Sequence, residues 1–353
     1  MKQPNNVYTP VEQPVLWLGM AGFPAAQQER LGAVLAGQLA GWPIWRMSRF
    51  ADADAWCISG AHMRVLRDGT VKIAGSPGAD RGVQLNLDEV DRPVAFALPL
   101  PQPDFEPMYT FDLGSDSSVR GVLQQFEAWL RPLRAQFALG AQVIQRESSL
   151  KAGVYHVSHK GTLLAVIDLN EWRAGISPTA RPVDFDDAAW EKRPDMASSP
   201  PERFVRCSLT QLMWTYAQRT GQDVLPPRYR AGMIYFRRSP RVPLRLLQDS
   251  HLLVLRELAS APGTFDALLQ RTGLSTAKLG RHLAGLYFAG SITSSRGRAV
   301  RDGVAVREEA ELGARPVRGE MPGSPIGPDS RFSQRYDPIG PTDQTAPAPL
   351  QFE

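Results

Sequence analysis

Histidine and aspartate pairs are the first residues to consider for metal binding or acid–base chemistry. His156 and His159 are three residues apart in a segment typical of a strand, so their side chains are expected on opposite faces and not on one metal ion. Asp184, Asp186 and Asp187 lie in a Pro-rich stretch in which nothing is expected to hold carboxylates in catalytic geometry. The sequence therefore predicts neither a metal site nor a pair of catalytic carboxylates.

Nucleophiles and glycine-rich turns likewise lack an active-site pattern. Ser59 in ISGAH is without the GxSxG turn of hydrolases, and GMAG at residues 19–22 contains neither GxGxxG nor GK[ST]. Cys57 and Cys207 share no CxxC or Cys/His spacing and are predicted to be buried small hydrophobic residues. We therefore predict no enzyme and no cofactor. The enzymatic alternative is an unfamiliar active site, with convergent polar groups in a deep pocket of the N-terminal part.

Positive charge is concentrated in one part of the chain. Residues 203–301 contain 16 Lys and Arg against four acidic residues, whereas residues 1–202 and residues 302–353 each carry a net charge of −4. Such an excess is typical of a segment that binds a polyanion, and the alternative is a solvated arginine-rich face.

A patch of arginines at residues 228–245, called the second basic patch, lies upstream of the segment at 252–290. Its arginines alternate with Tyr229, Tyr235 and Phe236, and basic residues interleaved with aromatic ones can bind nucleic acid. The alternative is a buried strand at residues 233–236 with arginines extending from its rim. The arginines of the patch are Arg228, Arg230, Arg237, Arg238, Arg241 and Arg245.

Three short helices and a basic hairpin are predicted between residues 240 and 301. Leucine spacing indicates helices near 252–258, 264–273 and 275–290, with Thr264 and Ser275 as N-caps and Gly273 as a C-terminal stop. The sequence SITSSRGRAVRDG then has two β-compatible arms around Arg296-Gly297-Arg298. This order of elements resembles a winged helix-turn-helix domain.

The resemblance implies a set of DNA contacts. In that family the third helix enters the major groove and the wing contacts the backbone or the minor groove. The residues outside the leucine stripe of the third helix, which would face bases or phosphates, are Thr276, Lys278, Arg281 and His282, with Ser275 placing the helix N-terminus near a phosphate. The wing contacts would be Arg296, Arg298 and Arg301. Arginine and lysine suit this task because they displace counterions, and arginine also forms bidentate bonds to guanine.

The N-terminal part alternates strands and helices, beginning with an apolar run at residues 15–20 and a helix-like pattern after it. It weakly resembles the receiver domain that precedes winged helices in many bacterial regulators. A working receiver needs acidic residues after its first and third strands, but GMAGF and ISGAH stand there. The resemblance therefore implies a pseudo-receiver without a phosphorylation site, which would signal through another ligand or a protein contact.

These patterns predict an α/β N-terminal domain plus a mainly α winged helix-turn-helix C-terminal domain. The expected segments are a flexible N-terminus at 1–14, an α/β regulatory or interaction domain at 15–174, a Pro/Asp-rich linker at 175–202, a basic winged-helix domain with a leading helix at 203–302, and a disordered tail at 303–353. No signal peptide or membrane span is apparent, so a cytoplasmic protein is expected.

The sequence thus predicts a DNA-binding regulatory protein, a transcriptional regulator with a non-catalytic N-terminal domain. Its expected partner is double-stranded DNA. A homodimer is consistent with this, because winged helices often read paired half-sites, and a protein partner is the other option. The alternative is a non-catalytic adaptor whose winged helix binds an acidic protein. Salt-independent binding through leucine and aromatic side chains would favour the adaptor.

Overall fold

The computed structural model describes residues 12–37, 42–66, 69–74, 82–102 and 104–299. The chain divides into two compact units between Gln222 and Asp223. Residues up to Gln222 are called the first unit, and residues from Asp223 the second unit. The predicted tail at 303–353 and most of the predicted flexible N-terminus lie outside the described residues.

The first unit begins with a parallel sheet that has helices on one face. Its elements are β1 (Val15–Ala21), α1 (Ala25–Ala36), β2 (Ile44–Ser48), β3 (Ala55–Ser59), β4 (Met63–Val65), β5 (Thr70–Ile73), β6 (Val83–Asn86), β7 (Val94–Ala97), β8 (Thr110–Phe111) and α2 (Asp116–Trp129). The parallel strands lie in the order β2-β1-β3-β7-β8. Counted along the chain, this is the 2-1-3-4-5 order of flavodoxin-like doubly wound sheets. The α/β character expected of the N-terminal part is thus confirmed.

Each face of the parallel sheet has its own core, because side chains alternate between faces along a strand. Cys57 of β3 packs in a cluster with Leu31 of α1 and Phe126 of α2. The next residue, Ile58, packs instead with Ile73 of the antiparallel sheet formed by β4, β5 and β6. A small β-sheet therefore covers one face where doubly wound folds usually have helices.

The rest of the first unit is an antiparallel sheet with two packed helices. Its elements are α3 (Arg131–Gln145), β9 (Val154–His159), β10 (Thr162–Asp168), β11 (Arg173–Ile176), β12 (Ala189–Arg193), β13 (Val205–Ser208) and α4 (Leu209–Arg219), with the strands in the order β12-β9-β10-β11-β13. Helices α3 and α4 approach closely at Gly140, where an added Cβ would lie 2.7 Å from the carbonyl oxygen of Leu212. The glycine thus permits backbone contact between the helices.

The structure differs from the predicted linker and boundary. Residues 175–202 contain the end of β11 and all of β12, which pairs with β9 over Ala189–Arg193. Helix α4, expected to lead the basic domain, belongs to the first unit. The sequence does not predict β12 because it is an edge strand with mostly exposed residues, so it lacks the alternating apolar pattern of a half-buried strand.

The second unit contains mostly helices. Its elements are α5 (Arg228–Ala231), β14 (Tyr235–Phe236), α6 (Asp249–Ser260), α7 (Phe265–Thr272), α8 (Thr276–Phe288) and β15 (Ile292–Thr293). The three helices expected from leucine spacing are present as α6, α7 and α8. Strand β14 pairs with β15, and Ile234 forms an isolated bridge with Gly263 between α6 and α7. Of the helices in the described ranges, none is long and apolar enough to span a bilayer.

Candidate nucleic-acid interface

A tight turn joins α7 and α8. Thr264 caps α7 by accepting a hydrogen bond from the backbone N–H of Ala267, and Gly273 ends the helix with a left-handed φ of +64°. Ser275 then caps α8, with its hydroxyl oxygen 3.4 Å from the backbone nitrogen of Lys278. The two helices are therefore separated by three residues, the turn length of a helix-turn-helix motif.

The fully exposed residues of α8 lie at its beginning. Ser275, Thr276 and Ala277 are exposed, and Lys278 is half-buried. From Leu279 to Leu286 every residue is buried except Arg281, which is half-buried. A ligand that approaches this helix would therefore meet its N-terminal turn and Arg281, and the leucine stripe would remain in the core.

His282 does not belong to the exposed set, and its assignment as a DNA contact is wrong. It is 3 % exposed, and its Nε2 lies 2.9 Å from the hydroxyl oxygen of Ser250. Burial, together with the charges of His251, Lys278 and Arg281, lowers the pKa of His282 to about 2. The spacing could have revealed this, because residue 282 lies three positions after Leu279 and four before Leu286, on the same helix face.

The described part of the predicted wing contains a strand and a turn. Its first arm is present as β15, and Arg296–Arg298 forms a single 3-10 turn, with both arginines exposed. Strand β15 pairs with β14, upstream of the three helices. The second predicted arm lies outside the described residues from residue 300 onward, so the pairing around Gly297 stays a prediction. Arg301, the third proposed wing residue, lies outside the described residues.

Two members of the second basic patch contact other parts of their own unit. The guanidinium of Arg230 bonds to Asp223 at 2.7 Å, lies 4.3 Å from the ring centroid of Phe265, and occupies the space beside Gly280. The guanidinium of Arg228 lies over the ring of Tyr287. These arginines hold α5 against α7 and α8. The strand of the alternative is shorter than predicted, at Tyr235–Phe236, and it is half-buried.

The other arginines of the patch are spread along residues 237–245. Arg238 donates to the carbonyl oxygen of Gly290 at 3.2 Å, just beyond the C-terminal end of α8, where a cation is favoured by the helix dipole. Burial and the neighbouring Arg237 and Arg241 lower the pKa of Arg238. Arg241 and Arg245 are exposed. Arg238 therefore adds positive charge at the C-terminal end of α8, the end opposite Ser275.

The other residues considered above for catalysis or metal binding lie in the first unit. Ser59 and His62 lie 3.1 Å apart at the carboxyl end of β3, but no carboxylate in the described part of the chain bonds to this pair. His156 Nε2 lies 3.1 Å from the carbonyl oxygen of Ala197. Among the described residues, no group of three His, Cys, Asp or Glu side chains has the arrangement of a metal site.

Two other expectations for the first unit have clear outcomes. Cys57 and Cys207 are buried free thiols, as predicted, and burial raises the pKa of both. Asp184 differs from the predicted solvated acidic run, because it is buried and accepts a 2.7 Å bond from Arg181.

No protein-family model, no curated protein and no solved structure matches the chain. Function therefore has to be inferred from the residues and their geometry.

Proposed function

We propose that the chain is a DNA-binding regulatory protein whose second unit is a winged-helix-like helix-turn-helix module. The observation that carries the proposal is the exposed, capped N-terminal turn of α8 after a three-residue turn that contains Gly273. In this proposal Thr276, Lys278 and Arg281 contact bases or phosphates in the major groove. Ser275 directs the helix N-terminus to a phosphate, and Arg296 and Arg298 contact the backbone beside it.

The charge of the second unit supports a polyanionic partner. Residues 223–299 contain twelve Lys and Arg but only four Asp and Glu. Two of the four acids are bonded to arginines, Asp223 to Arg230 and Glu257 to Arg256. Within the described residues, the side chains of Lys278 and Arg296 form no hydrogen bond or ion pair. A surface of this composition attracts DNA phosphates and loses affinity as salt is added.

The first unit is proposed to be a regulatory or interaction domain. Its parallel strand order is that of flavodoxin-like folds, among which receivers are found. At the carboxyl edge, an added Cβ at Gly22 would lie 3.0 Å from Ile73 and 3.3 Å from Ser59, so the small antiparallel sheet occupies the space beside the first strand. Because GMAGF and ISGAH contain no acidic residue, regulation through this edge would use another ligand or a protein contact instead of a phosphoryl group. We place the protein in the cytoplasm, where a DNA-binding regulator of this kind acts.

The proposal is tested by fluorescence anisotropy with labelled double-stranded DNA over a series of salt concentrations. The full chain is expected to bind with an affinity that falls steeply with salt. Arg281→Ala, Arg298→Ala and the double variant should each bind more weakly, the double variant by about tenfold or more. Arg256→Ala is the matched control, because it removes one exposed arginine from α6, outside the proposed interface.

Two outcomes would contradict DNA binding. One is a full chain that does not bind DNA at low salt. The other is a double variant that binds as tightly as Arg256→Ala while its circular dichroism spectrum is unchanged.

A second candidate function is the non-catalytic adaptor. Leu244 is 84 % exposed and Leu252 is 51 % exposed, and both belong to the second unit. Such side chains can be buried against a protein partner, whereas phosphates offer them no apolar contact. A partner captured by the full chain and lost in Leu244→Ser, with little effect of salt, would favour the adaptor over the regulator.

A further inference from the structure

A cavity of about 240 Å³ lies beside the β9–β10 hairpin, in the first unit. Of its eight lining residues only Leu164 and Ala180 are apolar, and the polar ones are His159, Lys160, Thr162, Thr179, Arg181 and Asp184. Pockets for drug-sized molecules are mostly apolar, so this lining favours a small polar ligand. The volume is enough for a phosphate or a short carboxylate.

Lys160 is the first residue of the two-residue turn between β9 and β10, and it lines the cavity. Lys160 and Gly161 have φ values of +48° and +80°, and the flanking residues His159 and Thr162 are paired. Two positive φ values in a two-residue loop are the signature of a type I′ turn, in which Asn, Asp or Gly usually occupies the first position. Lysine is therefore an uncommon choice here, and its side chain places a cation in the lining.

Arg181 and Asp184 provide a fixed guanidinium on another part of the cavity. The buried carboxylate of Asp184 accepts hydrogen bonds from the backbone N–H, the Nε and the Nη2 of Arg181. These bonds lower the pKa of Asp184, so the carboxylate remains charged and bound to the arginine. The Nη1 group of Arg181 is not used in these bonds, and 67 % of the side chain is exposed. A ligand can therefore bind the guanidinium without displacing Asp184.

His159 is a further lining residue of the cavity. Its Nδ1 is buried and has no hydrogen-bond partner within the described part of the chain. Because solvent does not reach this atom, a ligand in the cavity would not contact it, and the imidazole contributes only to the wall. Because Arg181 and Asp184 neutralise each other, the ammonium group of Lys160 gives the lining a net positive charge.

We propose that this cavity binds a small oxyanion, a carboxylate or a phosphate, held by Lys160 and Arg181 with Thr162 and Thr179 as hydroxyl donors. The charge, the polar lining and the limited volume all select this class. The site lies in the first unit, so it is independent of the DNA-binding proposal and can be tested without DNA.

The test is isothermal titration calorimetry of the full chain with inorganic phosphate and, separately, with acetate and succinate, at constant ionic strength. Saturable binding of at least one of them is expected. Lys160→Gly should weaken it by about tenfold, because a charged hydrogen bond is lost while glycine retains the positive φ of the turn. Lys151→Ala is the control, since it removes an exposed lysine that does not line the cavity.

A second variant separates this site from the basic surface of the second unit. Arg281→Ala/Arg298→Ala should bind the anion as the parent does. The proposal is overturned if none of the three anions binds saturably, if Lys160→Gly binds like Lys151→Ala, or if the double arginine variant abolishes binding.

Discussion

The rings of His251 and His282 pack against each other in the core of the second unit, with their centroids 3.9 Å apart and their planes tilted by 50°. His251 lies in the first turn of α6, where its Nδ1 accepts the backbone N–H of Gln248 at 3.0 Å. Its neighbour Ser250 bonds to His282 of α8. The pair therefore joins the two helices, and burial favours the neutral form of His282.

Acid is expected to destabilise the second unit through His282. Burial lowers the pKa of His282 from 6.5 to about 2, so between these values the unfolded state binds more protons than the folded state. The stability that depends on the neutral ring is complete above pH 6.5 and decreases as the pH falls. The expected slope is about 1.4 kcal/mol per pH unit.

Hydrogen exchange of the α6 and α8 amides, corrected for intrinsic rates, measures this loss as the pH is lowered from about 7 to about 5. His282→Gln retains a hydrogen-bonding group for Ser250 but does not titrate, so its stability should depend less on pH. An equal pH dependence in the variant and the parent would show that another group is responsible.

The bidentate ion pair between Arg219 of α4 and Asp54 should stabilise the first unit. Its two bonds measure 2.6 Å and 2.5 Å, both side chains are largely buried, and Asp54 also accepts the backbone N–H of Trp17. Asp54→Ala leaves a buried guanidinium without its partner, which is expected to cost about 3–5 kcal/mol. All eight Trp residues lie in the first unit, so urea unfolding followed by tryptophan fluorescence measures the change.

The double variant Asp54→Ala/Arg219→Met tests the cause of that loss. It removes both charges and should recover part of the stability lost in Asp54→Ala, because no unpaired charge is then buried. If the double variant is less stable than Asp54→Ala by the full cost of a second substitution, the two residues act independently and the loss does not come from a broken ion pair.

Gly140→Ala is expected to destabilise the first unit by roughly 1–3 kcal/mol because the α3–α4 contact would be overpacked. The new methyl group would lie 2.7 Å from the backbone oxygen of Leu212, which cannot move without shifting α4. Gly121→Ala in α2 is the matched control, since nothing lies within 4 Å of its added Cβ. The control should gain about 0.5–1 kcal/mol from its higher helix propensity. Urea midpoints of the two variants that shift in the same direction would contradict overpacking as the cause.

Helices with strong local signals were predictable from sequence. The caps Thr264 and Ser275 and the stop at Gly273 all have the predicted roles, because capping depends on neighbours within one turn. Edge strand β12 was not predictable, since its residues are mostly exposed and its pairing with β9 spans a long stretch of chain.

The candidate interface was predictable where helix periodicity decides exposure, as at Thr276. The pairing of β15 with β14 and the 3-10 turn at Arg296–Arg298 were not predictable, because the two paired strands are distant in sequence. The role of Arg230 also depends on distant contacts, since its guanidinium packs on Phe265 and beside Gly280. Sequence identifies which residues carry charge, but packing decides which of them remain available to a partner.

Substitutions in α8 and in the turn after β15 should affect DNA binding differently, because α8 is proposed to read bases and the turn to contact phosphates. If Arg296 and Arg298 contact phosphates, each alanine substitution should lower the slope of log affinity against log salt by about one, equally for all DNA sequences. If Arg281 reads a base edge, Arg281→Ala should cost about 1–3 kcal/mol on the preferred sequence and less on others.

Sequence selection from a random DNA pool, followed by anisotropy on selected and scrambled fragments, separates the two roles. Arg256→Ala again serves as the control, because its arginine is bonded to Glu257 on α6. A preference for the selected sequence that survives in Arg281→Ala but disappears in Arg298→Ala would reverse the assignment. The turn after β15 would then be the part that reads sequence, and the first turn of α8 would contribute only charge.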